Sequence, residues 1–278
     1  MDRLEKALQK ARAEREQALA ASGTPVTAEA VAAAPAAEAS PVPHPAAATS
    51  TSQRIALKDA LLDANRIVAP RKRDDTADIF RMLRTKVLNQ ITKNNLKTLA
   101  ITSANYGDGK TTIATNLALS LAQDVKQTVL LVDLDLRKPD MHRRLGIEPT
   151  VGLTDYLLHD ARVHDCMVKP DFERLVLLPT ADAIDNSSEM LGTPKMTALA
   201  RELKTRYSDR IVIYDMPPLL AQDDTIAFLP NVDGVLLVVR DGVTKTEELE
   251  HCLHLLEDSN VIGTVLNSSQ ERGNKKYI

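Results

Sequence analysis

The chain has 278 residues, 44% of them hydrophobic and 3% aromatic, with 35 basic and 38 acidic side chains and a formal net charge of −3. This length allows one good-sized core with a tail besides, and the near-balance of charge excludes a nucleic-acid binder driven by bulk electrostatics. Two cysteines, Cys166 and Cys252, cannot build a disulfide framework and fit a reducing compartment.

Residues 1–20 place Leu4, Ala7, Leu8 and Ala11 at helical spacing with charges on the other face. They predict an amphipathic N-terminal helix suited to docking a partner. The same segment lacks the apolar stretch of a signal peptide, and no apolar run in the sequence reaches the length of a bilayer span. A cytoplasmic chain without an intrinsic transmembrane segment is expected.

Residues 21–73 predict a linker. Over 21–50 almost every residue is Ala, Pro, Ser, Thr or Val, with prolines too frequent for a helix and too little bulk for a core. The remainder is mixed and ends in the basic run "PRKR".

From residue 74 to 267 the character changes. Strands are predicted over 96–103, 128–135, 174–180, 210–218, 234–241 and 261–267. Helices are predicted over 110–123, 196–207 and 244–259. Unbroken apolar strands alternating with helices predict an α/β fold, a mostly parallel sheet covered by helices on both faces. The last residues, 268–278, predict a flexible C-terminal tail.

The stretch "SANYGDGKTT", residues 103–112, follows a predicted strand and opens a predicted helix, the setting of a phosphate-binding loop. Ala104, Asn105, Tyr106, Gly107, Asp108, Gly109, Lys110, Thr111 and Thr112 form the candidate cradle. Ala104 stands where the pattern has its first glycine. Because backbone N–H groups do most of the cradling, a small residue still permits the turn. Tyr106 is expected to point outward. Lys110 can reach the β- and γ-phosphates, and the Thr111 hydroxyl can ligate Mg²⁺.

Two further strands end on carboxylates: "VLLVDLD" on Asp133 and Asp135, and "IVIYD" on Asp215. Ligand sites of open α/β sheets lie at the carboxyl ends of strands. Three acids and a phosphate loop at one sheet edge predict a Mg-nucleotide site in a P-loop NTPase fold.

At these residues the chain resembles the bacterial tyrosine kinases of capsule and exopolysaccharide biosynthesis, relatives of the Mrp/MinD/ParA ATPases. The family's phosphate loop is similar to 103–111, with Tyr106 in place of a proline and Asp108 in place of a glutamate. Its Asp-x-Asp-x-Arg-x-Pro motif is matched by Asp133, Asp135, Arg137 and Pro139. Its Asp-Thr-Pro-Pro motif is matched by Asp215, Pro217 and Pro218.

The resemblance implies an ATP- and Mg²⁺-dependent protein-tyrosine autokinase. Lys110 and the loop amides would hold phosphate, and Thr111, Asp135 and Asp215 would hold the metal. Asp133 would accept the tyrosine proton. It also implies a homo-oligomer whose contact segment corresponds to Asp78, Arg81 and Arg84, three residues that the spacing sets on one helical face. A separate membrane co-polymerase that sets polysaccharide chain length is implied as the activator, recruiting the chain to the inner face of the cell membrane.

Members of this family end in a tyrosine cluster, whereas here the tail holds one tyrosine, Tyr277, the implied phosphosite. Two other readings stand beside the kinase. One is a nucleotide-gated scaffold for polysaccharide export. The other is a MinD/ParA-like positioning ATPase, disfavoured because such loops carry an early lysine that "SANYGDG" lacks. His251, Cys252 and His254 read as part of a surface helix rather than a metal site.

Overall fold

The computed structural model describes residues 55–71 and 74–269. The predicted N-terminal helix, most of the predicted linker and the tail with Tyr277 lie outside the described residues. Among those described, no helix is long and apolar enough to cross a membrane.

In chain order the elements are α1 (Asp59–Ala64), α2 (Asp75–Asn94), β1 (Thr98–Ser103), α3 (Lys110–Ala122), β2 (Thr128–Asp133) and α4 (Met141–Leu145). They continue with α5 (Leu153–His159), β3 (Leu175–Leu178), α6 (Ser187–Leu191), α7 (Pro194–Thr205) and β4 (Arg210–Asp215). The last are α8 (Asp224–Phe228), β5 (Gly234–Arg240), α9 (Thr246–Leu255) and β6 (Val261–Asn267).

The six strands form one parallel sheet in the order β3-β2-β4-β1-β5-β6. Strand alternation divides the apolar residues between two cores, one on each face. Leu99, Ile101, Val129 and Leu131 enter one; Ala100, Leu130, Val132 and Tyr214 enter the other. In the second core the Tyr214 and Phe228 rings meet edge to face, 4.9 Å between centroids. Both faces being covered explains why β1, β2 and β4 read as continuous apolar runs.

The two-layer wrapping has one consequence for position. β4 lies between β1 and β2, and Asp133 is in register with Asp215. The phosphate loop leaves β1 on the other side of β4. The ends of three adjacent strands therefore carry the phosphate loop and both carboxylate motifs.

The structure differs from the sequence reading at the N-terminal edge of this domain. Residues 55–71, read as linker, carry α1, and Leu62, Ile67 and Ala69 are buried against the core. Ile55 pairs with Pro170 in a short parallel bridge. Asn116 of α3 fastens the segment: its Oδ1 accepts from the Val68 and Ala69 N–H groups at 2.8 and 2.9 Å. Gln123 Nε2 adds a bond to the Ala69 carbonyl at 2.9 Å. The segment is a strap over α3.

The helix predicted to carry Asp78, Arg81 and Arg84 is α2, N-capped by Asp74, whose side chain accepts from the Thr76 and Ala77 N–H groups. The three residues do not share one face. At 3.6 residues per turn each step of three falls about 60° short of a full turn. Arg84 is accordingly turned inward and donates to the Ser120 carbonyl at 2.9 Å. Arg81 pairs with Asp78 in its own helix and donates to the Arg71 carbonyl.

Candidate active site

The phosphate loop is held open by its own residues. Gly107 and Gly109 adopt left-handed φ of 86° and 98°, which only glycine takes without strain. A Cβ at Gly109 would collide with the Asn267 side-chain amide. That amide donates to the Asp108 carbonyl at 2.7 Å, tying the loop to the end of β6. The Asp108 carboxylate folds back to accept from the Asn105 N–H at 2.9 Å. Burial raises its pKa above the ordinary aspartate value. Asn105 Nδ2 in turn donates to Glu248 Oε1 at 3.0 Å. Ala104 is buried, and its carbonyl accepts from Leu220. No left-handed backbone is needed there, so alanine fits where the pattern has glycine.

Lys110 and Thr111 begin α3 and are almost fully buried. Lys110 Nζ lies 2.8 Å from Asp135 Oδ2. Burial works against the ammonium, but Asp215, Asp135 and Asp133 together outweigh it and hold the lysine pKa above its usual value. One lysine thus faces three carboxylates.

The three acids differ in their commitments. Asp133 serves its own loop, Oδ1 accepting from the Asp135 N–H and Oδ2 from the Met141 N–H, both at 3.2 Å. Burial, reinforced by the Asp215 charge, pushes its pKa well above the carboxylate range. Asp135 accepts from Lys110 on one oxygen and from the Lys138 N–H on the other, at 3.1 Å. Asp215 is fully buried, and neither of its oxygens accepts a well-formed hydrogen bond. Burial lifts its pKa to about 6, opposed by Lys110 and the nearby Thr111 hydroxyl. A buried carboxylate with open acceptor positions beside a threonine hydroxyl is a fitting donor set for Mg²⁺ and its waters. Thr111 and Asp135 complete that set.

Lys110, Thr111 and Asp135 open onto a cleft of about 680 Å³ whose walls also include Gly109 and Thr112, the size of a small-molecule site, while Asp133 and Asp215 are buried and do not line it. Tyr106 does not simply point outward. It lines the cleft, its ring lies under the Lys138 ammonium at 4.1 Å, and its hydroxyl meets Gln222. Burial and the Asp135 charge raise its pKa.

Sequence reasoning missed several lining residues. Arg66 comes from the strap; Arg144, from α4, donates to Thr112 Oγ1 at 3.2 Å. Arg240 and Asn267 come from the ends of β5 and β6. None stands in a recognisable motif, and Arg144 is visible only as part of a basic pair. Asp224, at the start of α8, is a further fully buried carboxylate. Burial raises its pKa, against the influence of Ser187 and Arg137. Arg137 itself is braced by a 2.8 Å bond from Nε to Ser187 Oγ. Asp78 and Arg81 belong to α2 and do not line the cleft.

Residues 96–266 match the family model of an AAA domain. The chain is 35% identical over 201 residues to the tyrosine-protein kinase YwqD of Bacillus subtilis, covering 71% of this chain and 83% of that one. It is 31% identical over 218 residues to the succinoglycan biosynthesis transport protein ExoP of Rhizobium meliloti, covering 77% of this chain but 27% of that one. Among solved structures it is similar to the kinase domain of the Escherichia coli tyrosine kinase ETK, with a TM-score of 0.68, 27% identity, and coverage of 76% of this chain and 83% of that one.

Proposed function

This chain belongs to the AAA-domain family of bacterial tyrosine-protein kinases, and from that premise we propose that it transfers the γ-phosphoryl group of Mg-ATP to protein tyrosines in the assembly of an exopolysaccharide or capsule. The observation that carries the reading is the buried Lys110–Asp135 contact at the mouth of the phosphate loop, with Asp133 and Asp215 behind it.

Phosphoryl transfer asks the protein for positioning and charge stabilisation more than for covalent chemistry. The amides of 107–112 and Lys110 hold the phosphate groups. Thr111, Asp135 and Asp215 hold Mg²⁺, which neutralises phosphoryl charge when bound. Asp133 accepts the proton of the attacking tyrosine hydroxyl, the role that the family resemblance gives the first carboxylate of its motif. Lys110 must exchange part of its contact with Asp135 for phosphate, and a bound Mg²⁺ would offset the carboxylate charge that this uncovers.

The acceptor we assign is Tyr277, presented by a neighbouring copy. Tyr214 is unsuitable because it is fully buried within a strand. For self-association, α2 offers Ile79 and Met82, 62% and 50% exposed, beside Asp78 and Arg81. Arg84 supports that face from within through its bond to Ser120. ExoP is named as a transport protein of polysaccharide biosynthesis and is much longer than this chain. As its partner we assign a membrane co-polymerase that recruits this chain to the inner face of the membrane.

The test is mass spectrometry of the wild type and of Tyr277→Phe after incubation with Mg-ATP. Phosphate on Tyr277, absent from the variant, is expected. Nucleotide binding without any phosphotyrosine, with the membrane partner present, would replace the kinase by a nucleotide-gated scaffold.

A further inference from the structure

The strap, residues 55–71, contributes three consecutive residues, Ala64, Asn65 and Arg66, to the wall of the cleft that also holds Lys110, Thr111 and Thr112. Arg66 has a left-handed backbone, φ 58°, a conformation that costs free energy for any residue with a Cβ. Such strain persists only where the surroundings over-determine it, and it gathers at ligand sites.

The surroundings here are polar and specific. Asn116 Nδ2 donates to the Arg66 carbonyl at 3.0 Å and to the Thr112 carbonyl at 2.9 Å. One side chain therefore joins the strained residue directly to the phosphate loop's first helical turn. Asn65 Nδ2 donates to the Arg144 carbonyl at 2.9 Å, and Arg144 Nη1 donates to Thr112 Oγ1. The strap is bolted to the phosphate site on both sides of Arg66.

The guanidinium is left free by this arrangement. Arg144 is engaged by Asp140 and Thr112, Arg137 by Ser187, and Arg240 by the Gly107 carbonyl. Arg66 makes no hydrogen bond or ion pair through its side chain among the described residues. A free planar fork at the lip of a phosphate-binding cleft matches phosphate oxygens in geometry and charge.

We propose that Arg66 is a phosphate-binding residue of the nucleotide site, supplied by the strap rather than by the sheet. This rests on the assignment of the cleft to a nucleotide. It makes the segment that leads to the N-terminal region part of the site, so that bound nucleotide fastens the strap further to α3.

Calorimetric titration of the full chain with Mg-ADP, on wild type, Arg66→Gly, Arg66→Lys and Lys110→Met, tests it. Glycine takes the left-handed conformation freely, so Arg66→Gly should unfold at the same temperature as the wild type or higher. Its affinity should fall about three- to tenfold, the loss expected of one partly exposed charge-assisted contact, and Arg66→Lys should recover part of the loss. Amide exchange at Val68 and Ala69 should slow on adding Mg-ADP to the wild type and slow less in Arg66→Gly. Wild-type affinity in Arg66→Gly, with binding lost in Lys110→Met, would overturn the assignment of Arg66 alone. Wild-type affinity in Lys110→Met would overturn the nucleotide site and Arg66 with it.

Discussion

Two aspartate–cation pairs in this protein differ in nearly everything but the sign of their charges. Lys110 and Asp135 meet at 2.8 Å in the interior, at the junction of three strand ends. Arg81 and Asp78 meet on the open side of α2, one turn apart. An exposed pair of the second kind contributes between zero and about 1 kcal/mol. A buried pair of the first kind has an unfavourable desolvation cost, and well-packed apolar residues would often serve stability as well or better. The interior pair also has more carboxylates than cations. What the contrast teaches is that the interior charges are not explained by stability alone, which fits the proposed nucleotide site, while the exterior ones belong to a surface.

The sharpest way to break the contrast is to remove the interior cation. Lys110→Met leaves Asp133, Asp135 and Asp215 buried without it. Removing one member of a buried pair costs about 3–5 kcal/mol, and urea unfolding at neutral pH should show a loss of that order. Mg²⁺ should restore part of it, since cations relieve the remaining charge. A variant as stable as the wild type would mean that the carboxylates do not depend on Lys110.

A smaller effect sharpens the contrast by isolating burial from pairing. Asp224 is fully buried, with no lysine or arginine bonded to it. Its pKa is raised by that burial. A raised carboxylate binds its proton more tightly folded than unfolded. The penalty is absent below the unfolded pKa and grows as pH rises through the folded one. Asp224→Asn should therefore be more stable than the wild type near pH 7 and no more stable near pH 3, read by thermal unfolding at both pH values. A gain of equal size at both would trace the effect to shape rather than charge.

The exterior pair should give the smallest change in stability and a visible change in assembly. Arg81→Ala should alter unfolding by less than about 1 kcal/mol. Combined with Ile79→Ser, it should shift the mass seen by light scattering toward monomer. An unchanged oligomer would remove the α2 face from the account.

How much of this was legible in the sequence depended on whether the signal was local. Lys110, Thr111, Asp133, Asp135 and Asp215 sit in short motifs at strand ends, and a parallel sheet gathers such ends at one edge whatever the strand order. The strap was not legible. Leu62, Ile67 and Ala69 are spaced five and two apart, matching neither helical nor strand periodicity. The segment is fastened by Asn116, a buried polar residue of α3 whose bonding partners in the strap lie 47 to 50 residues away. Arg84 was misplaced because a spacing of three drifts around the helix. Asp224 carries no motif, and its burial comes with the seating of α8, whose Thr225 hydroxyl donates to the Pro217 carbonyl just past β4.

The measurement that tests the account most directly is phosphotyrosine formation by mass spectrometry, with Mg-ATP, in the wild type, Lys110→Met and Asp78→Ala side by side. Phosphotyrosine should appear in the wild type, vanish in Lys110→Met, and fall in Asp78→Ala only as far as the assembly that presents Tyr277 falls. Phosphotyrosine in Lys110→Met at the wild-type level would contradict the claim that the buried lysine and its carboxylates carry the phosphoryl transfer.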